Sequence, residues 1–211
     1  MIITKIKRIA STSRFNVYAD EKWCGIFLDE ILAKYKIATN QEWKESEFRK
    51  IKEENDRKVA FDLAVSYMEK YVVSEKGIRD YLKKKLFSGT VIFDVVAKLK
   101  DYGFVDDEAF AKNYFETLSA SRGKRAIANK LKEKGIANEI IDNLLENVED
   151  EEEIAKATAL AEKFVKNRDY SLKTKQKCIA HLIYKGYDYS VAQQATNITF
   201  SDKGETNEDW L

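Results

Sequence analysis

The stretch "LKEKGIANEIIDNLL", residues 131–145, has the pattern of one helix that ends at Gly135 and a second that begins a few residues later. Glycine adopts at little cost the left-handed conformation that commonly follows the last residue of a helix. The lysine before it suits the negative end of the helix dipole. This stretch therefore predicts a sharp corner between two helices.

The same corner occurs three times along the chain. The stretches "LKKKLFSGTVIFDVV", residues 82–96, and "LIYKGYDYSVAQQAT", residues 182–196, align with it, and Leu82, Leu131 and Leu182 fill one column of the alignment. A period of about 50 residues is typical of stacked supersecondary units. We expect tandem three-helix repeats, in which no unit buries its apolar face alone, to stack into a curved, elongated rod.

The first corner departs from this pattern. Leu86 stands where Gly135 and Gly186 stand in the other repeats, and Gly89 follows three residues later. A left-handed conformation is costly for leucine. We expect the first corner either to be displaced or to carry backbone strain.

Composition supports a mainly α-helical chain. Its 211 residues include no proline and 8 glycines, with 44% hydrophobic and 35% charged residues, so the commonest helix breakers are absent or few. The formal net charge is +1. Any electrostatic partner must therefore be met by a local patch of charge.

Residues 2–28 have a different pattern, because apolar residues there recur with a period close to two. We expect a small antiparallel β-meander of three strands, with Asp20 and Glu21 in a tight hairpin, covered by a helix from Asp29. The predicted organisation is a β extension with its covering helix at 1–40, a charged, solvated bridging helix at 41–58, helical repeats at 59–103, 104–149 and 150–198, and a polar, flexible tail at 199–211.

Two consecutive segments carry a family resemblance. They are "GFVDDEAFAKNYF", residues 103–115, and "SRGKRAIANKLKEKGI", residues 121–136. A Gly-aromatic-aliphatic-Asp-Asp turn, an Ala-Phe-Ala helix start, an Arg-Gly pair and the corner described above follow one another there. In this order and spacing they resemble the RecX family, the regulators of the RecA recombinase, and the resemblance extends over residues 59–197.

The resemblance implies a function as well as a fold. A member of this family is expected to be a cytoplasmic regulator of DNA recombination, DNA repair and the SOS response, and not an enzyme. It would bind the RecA filament on single-stranded DNA in the filament groove, and mainly inhibit strand exchange and filament extension.

Helix geometry explains several of the motif residues without any chemistry. Gly103 is predicted to end one helix, and Asp106 or Asp107 to cap the next. Together with Gly135 and Gly186, these are predicted turn and cap residues.

No catalytic, metal or cofactor site is predicted. The single histidine, His181, shares an alignment column with Tyr81 and Lys130, which indicates a boundary position. "SRGKRA" is not a phosphate-binding loop, because such a loop needs another glycine five residues before Gly123, and Leu118 stands there. The two cysteines have no metal-site spacing. With no signal peptide and no membrane-length apolar stretch, we expect a cytoplasmic protein that does not contact membranes.

Basic side chains are the candidate partner contacts. If Ile127 and Leu131 form the buried side of a helix, Arg125 and Lys132 point outward with Arg122 beside them. Lys76 and Lys83 are the matching outward positions in repeat one, whereas Gln176 and Ile183 occupy them in repeat three. Two interpretations stay open, a merely solvated helix face and an electrostatic contact with the recombinase filament.

The alternative function is direct nucleic-acid binding by the helical repeats. The net charge of +1 and the acidic run at residues 146–153 argue against strong DNA affinity but leave a weak direct contact open. We expect a monomer. The strands at the start of the chain have two open roles, to cap the first repeat or to add contacts to a partner.

Overall fold

The computed structural model describes residues 1–204, with side chains described through Ser201. The end of the predicted tail, including Trp210, lies outside the described residues. The chain divides into two compact units, Met1–Asp106 and Asp107–Leu211. Over residues 1–204 it contains ten helices and one three-stranded sheet, which confirms the predicted mainly α fold with a small β-meander.

The first unit contains the sheet and four helices. The strands are β1 (Ile3–Arg8), β2 (Arg14–Ala19) and β3 (Lys22–Leu28). The helices are α1 (Asp29–Lys34), α2 (Glu45–Met68), α3 (Glu75–Lys84) and α4 (Gly89–Asp101).

The second unit is entirely helical as far as the structure describes it. Its first three helices are α5 (Asp107–Ser119), α6 (Lys124–Glu133) and α7 (Asn138–Glu146). The next three are α8 (Asp150–Val165), α9 (Leu172–Tyr184) and α10 (Tyr189–Gly204). Because α10 continues to Gly204 and buries Thr199, the predicted tail at 199–211 begins too early.

The sheet has the order β1-β2-β3, and both pairs of strands are antiparallel. Asp20 and Glu21 join β2 to β3 with φ values of 46° and 61°. Two consecutive residues with positive φ form the turn that best matches the twist of a hairpin. The predicted tight hairpin is therefore confirmed.

Helix α2 differs from the predicted solvated bridging helix at 41–58. It runs without interruption for 24 residues, so the predicted boundary between residues 58 and 59 falls inside a helix. Near its start, Phe48 and Ile51 are buried against the sheet, whereas Ala60 and Ala64 near its end belong to the core of repeat one. Helix α2 thus contributes side chains to two cores, one against the sheet and one in repeat one.

Asn55 is a polar residue of α2 that contacts the sheet, and none of its surface is exposed. Its side-chain oxygen accepts a hydrogen bond from Leu28 N at 2.9 Å, and its Nδ2 donates to Ile26 O at 2.7 Å. Strand β3 lies at the edge of the sheet. The Asn55 amide therefore takes the place of a neighbouring strand along part of that edge.

The three corners have the same hydrogen bonds. The N–H groups of Phe87, Ile136 and Tyr187 donate to the carbonyls of Leu82, Leu131 and Leu182 at 3.3, 3.1 and 3.1 Å. Gly135 and Gly186 have φ values of 84° and 95°. This is the bond pattern of a helix that ends on one left-handed residue, as the sequence predicts.

Each repeat contributes a separate cluster of buried side chains to the interior. These clusters include Leu82 in repeat one, Leu131 in repeat two and Leu182 in repeat three. These leucines are completely buried. Small helices can close such cores because the corner folds the third helix back over the first two.

The first corner is strained and not displaced. Leu86 occupies the position of the glycines with a φ of 64°, and its side chain is 85% exposed. The cost of a left-handed leucine is about 1–2 kcal/mol, and the exposed side chain contributes little packing to offset it.

We therefore expect Leu86→Gly to stabilise the first unit by about 0.5–1 kcal/mol, because the relief of strain exceeds the extra flexibility that glycine gives the unfolded chain. Thermal and urea unfolding would measure the gain. Leu86→Ala is the matched control, since alanine keeps the Cβ atom and hence the strain. Equal stability of the glycine and alanine variants would contradict the explanation.

Candidate functional site

Helix α6 presents the basic residues predicted for repeat two. Ile127 and Leu131 are fully buried, so the opposite face of the helix points to solvent. Arg125 and Lys132 are exposed there. Neither side chain forms a salt bridge with any residue that the structure describes. Arg122 lies in the turn before α6 and is half-buried.

Helix α3 presents the matching pair in repeat one. Ile78 and Leu82 are buried, and Lys76 and Lys83 are exposed. Lys76 forms a salt bridge with Asp80 at 3.2 Å, whereas Lys83 forms none with the described residues. Lys83 is therefore the lysine of this pair whose charge is more available to a partner.

The predicted contact residues fall into two groups. Lys76 and Lys83 belong to the first unit, and Arg122, Arg125 and Lys132 belong to the second. In repeat three, Gln176 is exposed, but Ile183 is half-buried and packs on the core of that repeat. The predicted outward position is therefore confirmed for Gln176 and wrong for Ile183.

The predicted turn and cap residues lie where helices end and begin. Gly103 has a φ of 70° just after α4, and its N–H donates to Lys100 O at 2.8 Å. Asp106 immediately precedes α5, and Asp107 is the first residue of that helix. These positions are consistent with capping of α5.

The start of α6 makes a junction with the corner of repeat three. Gly123 N donates to Lys185 O at 3.0 Å, and Arg125 N donates to Gly186 O at 3.2 Å. The first N–H groups of a helix and its last carbonyls have no partners within the helix. Here the free donors of α6 meet the free acceptors after α9.

The junction requires two glycines. A Cβ atom on Gly123 would lie 2.5 Å from Gly186 O, and one on Gly186 would lie 2.3 Å from Ala126 Cβ. In repeat one, Ser74 occupies the position of Gly123 and caps α3 with its own side chain, which accepts from Gly77 N. Repeat two therefore replaces a local cap with the backbone of its neighbour.

Lys124 and Glu153 close the same junction. Lys124 N donates to Glu153 Oε1 at 3.1 Å, and Lys124 Nζ lies 3.3 Å from Glu153 Oε2 and 3.2 Å from Asp150 Oδ1. Burial lowers the pKa of Lys124, but hydrogen bonds and charge from the two carboxylates outweigh it, and the pKa is raised above its ordinary value. The lysine therefore stays charged at neutral pH.

Tyr187 is buried at this junction, beside Glu153. Burial, together with the nearby carboxylate charge, raises the pKa of Tyr187 to about 12. The buried hydroxyl has no hydrogen-bond partner among the described residues. The side chain therefore acts as a large apolar filler in the corner.

Sequence reasoning missed this junction. From the sequence, Gly123 belongs to the Arg-Gly pair of the family resemblance and to a stretch that fails as a phosphate-binding loop, and Glu153 belongs to an acidic run; neither pattern predicts that the two segments meet. The available signal was that glycine replaces the capping serine of repeat one, at a position where a glycine has no obvious local advantage.

His181 is a boundary residue, as predicted. Its ring stacks on Phe164 with the centroids 4.8 Å apart. Burial and the nearby positive charges of Lys185 and Arg168 lower the pKa of His181, so the ring is neutral at pH 7. Over residues 1–204, no cluster of His, Cys, Asp or Glu has the arrangement of a metal site, and no helix has the length and apolar character to cross a bilayer.

Family models match most of the second unit. The model described as "RecX, second three-helix domain" matches residues 106–145, and the model described as "RecX, third three-helix domain" matches residues 150–196. These boundaries fall close to those of repeats two and three.

Similar proteins extend the match to most of the chain. "Regulatory protein RecX" of Listeria monocytogenes serotype 4a (strain HCC23) is 34% identical over 193 residues, which cover 90% of this chain and 72% of that protein. The protein of the same name from Bacillus velezensis (strain DSM 23117) is 33% identical over 203 residues, 93% of this chain and 77% of that protein.

Solved structures share the fold. "Crystal structure of regulatory protein RecX" superposes with a TM-score of 0.67 at 24% identity, and covers 93% of this chain and 98% of the other. "Crystal structure of RecX from Lactobacillus salivarius" gives 0.64 at 23% identity, over 68% of this chain and 96% of the other.

Proposed function

This chain belongs to the RecX family of regulatory proteins, and on that basis we propose that it binds the RecA recombinase filament on single-stranded DNA and mainly inhibits strand exchange and filament extension. Family membership is the observation that carries this proposal. The protein would act in the cytoplasm as a monomer, through binding alone and without catalysis.

The geometry supports a contact made by the outer faces of α3 and α6. Lys83, Arg125 and Lys132 are exposed and unpaired among the described residues, and each is held on a helix whose opposite face is buried. A single exposed ion pair contributes little free energy. Successive repeats that contact successive protomers of a filament would multiply such contacts.

Charge reversal tests these two helix faces. We expect the combined variant Lys83→Glu, Arg125→Glu and Lys132→Glu to bind recombinase-coated DNA about tenfold or more weakly, because three attractive contacts become repulsive. Inhibition of strand exchange should weaken in parallel, while circular dichroism shows unchanged helical content.

The control variant should carry the same change in charge elsewhere. Lys50→Glu, Lys112→Glu and Lys163→Glu lie on exposed positions of α2, α5 and α8 and are expected to leave inhibition intact. Loss of inhibition in both variants would mean a general charge effect. Unchanged inhibition by the first variant would exclude the outer faces of α3 and α6 as the contact.

A comparison of bare with recombinase-coated single strands tests the partner itself. We expect much tighter binding to the coated strand, and weak, salt-sensitive binding to the bare one. Equal affinity for both would favour the alternative, a repeat protein that acts through nucleic acid directly.

A further inference from the structure

Helix α9 differs from the equivalent helices of the other repeats. It has 13 residues, whereas α3 and α6 have 10 each. Of the helices within residues 1–204, it is the one that contains no Asp or Glu. It carries Lys173, Lys175 and Lys177, so its charge is entirely positive.

One face of α9 is exposed along the whole helix. Lys173, Lys177, Ala180 and Tyr184 follow one another at helical spacing, and all are exposed. The opposite face buries Thr174, Cys178 and Leu182. Lys173 and Lys177 form no salt bridge with any described residue.

Two exposed tyrosines flank the corner that follows α9, Tyr184 as the last residue of α9 and Tyr189 as the first residue of α10. Tyr184 is 82% exposed and Tyr189 is 62% exposed, on either side of the corner at Gly186. Among the described residues, neither ring stacks on another ring and neither hydroxyl has a hydrogen-bond partner. The buried aromatic residue of this corner is Tyr187, so the fold does not need the two exposed rings.

We propose that Lys173, Lys177, Tyr184 and Tyr189, here called the α9 face, bind single-stranded nucleic acid. The lysines would neutralise phosphates, and the tyrosine rings would stack on unpaired bases. Lys173 and Tyr184 are about 16 Å apart along the helix axis, the length of about five stacked nucleotides. A duplex hides the faces of its bases, which is why the rings select a single strand.

The charges around the α9 face fit this partner. The carboxylates nearest in sequence are Asp169 and Asp188, which flank the helix. Asp169 accepts a hydrogen bond from the Thr174 hydroxyl, and Asp188 precedes the first residue of α10. No carboxylate belongs to the face itself. Hydrogen bonds from Thr174 and Ser171, together with the charge of Lys177, lower the pKa of Asp169, so this carboxylate is the one that a phosphate on Lys177 must compete with.

This inference is independent of the recombinase contact. It concerns a different helix, and it can be tested with no recombinase present. The probe is a fluorescently labelled oligothymidylate of about 12 nucleotides, compared by anisotropy with the same strand carrying abasic units at its centre and with a duplex of equal length.

We expect the unmodified protein to bind the abasic strand about fivefold or more weakly than oligothymidylate, because stacking is lost while every phosphate remains. The double variant Tyr184→Ala and Tyr189→Ala should lose the same factor on oligothymidylate and show no preference between the strands. Tyr71→Ala, which removes an exposed tyrosine of the first unit, is the matched control and should keep the preference.

The contribution of Lys173 and Lys177 is measured separately, from the salt dependence of the affinity for oligothymidylate. Lys173→Gln with Lys177→Gln should reduce the slope of log affinity against log salt by about 1.4, or about 0.7 for each phosphate contact. Lys112→Gln with Lys163→Gln should leave the slope unchanged. Equal binding of normal and abasic strands, binding of the duplex as tight as that of the single strand, or no detectable binding of any probe would each overturn the proposal.

Discussion

Gly123→Ala is expected to lower the free energy of unfolding of the second unit by about 3 kcal/mol. The new Cβ atom would lie 2.5 Å from both Gly186 O and Tyr187 N, and backbone atoms cannot yield as the end of a flexible side chain can. Relief of the clash must move the corner of repeat three away from α6. That movement also breaks the hydrogen bonds from Gly123 N and Arg125 N.

Differential scanning calorimetry would measure the loss as a fall in Tm of more than about 10 °C. Hydrogen exchange should show lost protection at the start of α6 and around Gly186, with α3 and α4 unaffected. Because the pair Lys124–Glu153 depends on the same approach, a widened gap also exposes a buried charge pair to water.

Gly89→Ala is the matched control for this glycine. A Cβ atom on Gly89 would meet no other atom within 4 Å, and Gly89 is the first residue of α4. We expect this variant to be as stable as the parent or slightly more stable. If Gly123→Ala proved equally harmless, the close packing of the two backbones would be disproved.

Asn55→Leu is expected to destabilise the first unit by about 2–4 kcal/mol. Leucine has a similar size but cannot hydrogen-bond, so Ile26 O and Leu28 N lose the partners that they have at 2.7 and 2.9 Å. Since α2 covers this part of the strand, water cannot easily replace the lost bonds. Urea unfolding measures the loss.

The same change is expected to expose the edge of β3. An uncovered edge strand pairs readily with other chains, so light scattering should detect association at protein concentrations where the parent is not aggregated. Asn129→Leu is the control, because Asn129 is exposed on α6 and has no side-chain hydrogen bond to the described residues. A comparable loss of stability in both variants would contradict the role given to Asn55.

The corners could be predicted from sequence because they are local. The hydrogen bond that closes each corner joins residues five positions apart, such as Ile136 N and Leu131 O, and the pattern of leucine, lysine and glycine lies within that span. The hairpin at Asp20 and Glu21 is equally local. Outward basic residues such as Lys132 follow from helical periodicity once the buried leucine is known.

The continuity of α2 was missed for a different reason. Its first half is a run of charges with few apolar residues, which is typical of a solvated helix. Those few residues, Phe48 and Ile51, are buried because the sheet lies against them. Composition cannot show which neighbour will cover a sparse apolar face.

By itself the sequence determined the repeated corners, the meander, the helical class and the outward direction of the basic side chains, because each depends on residues a few positions apart. Only the tertiary structure decided that Gly123 meets Gly186, that Lys124 meets Glu153 and that Asn55 completes the edge of β3. These pairs are separated by about 30 to 60 residues. Their contacts arise from close approach of backbones and burial of polar groups, which no local pattern of residues encodes.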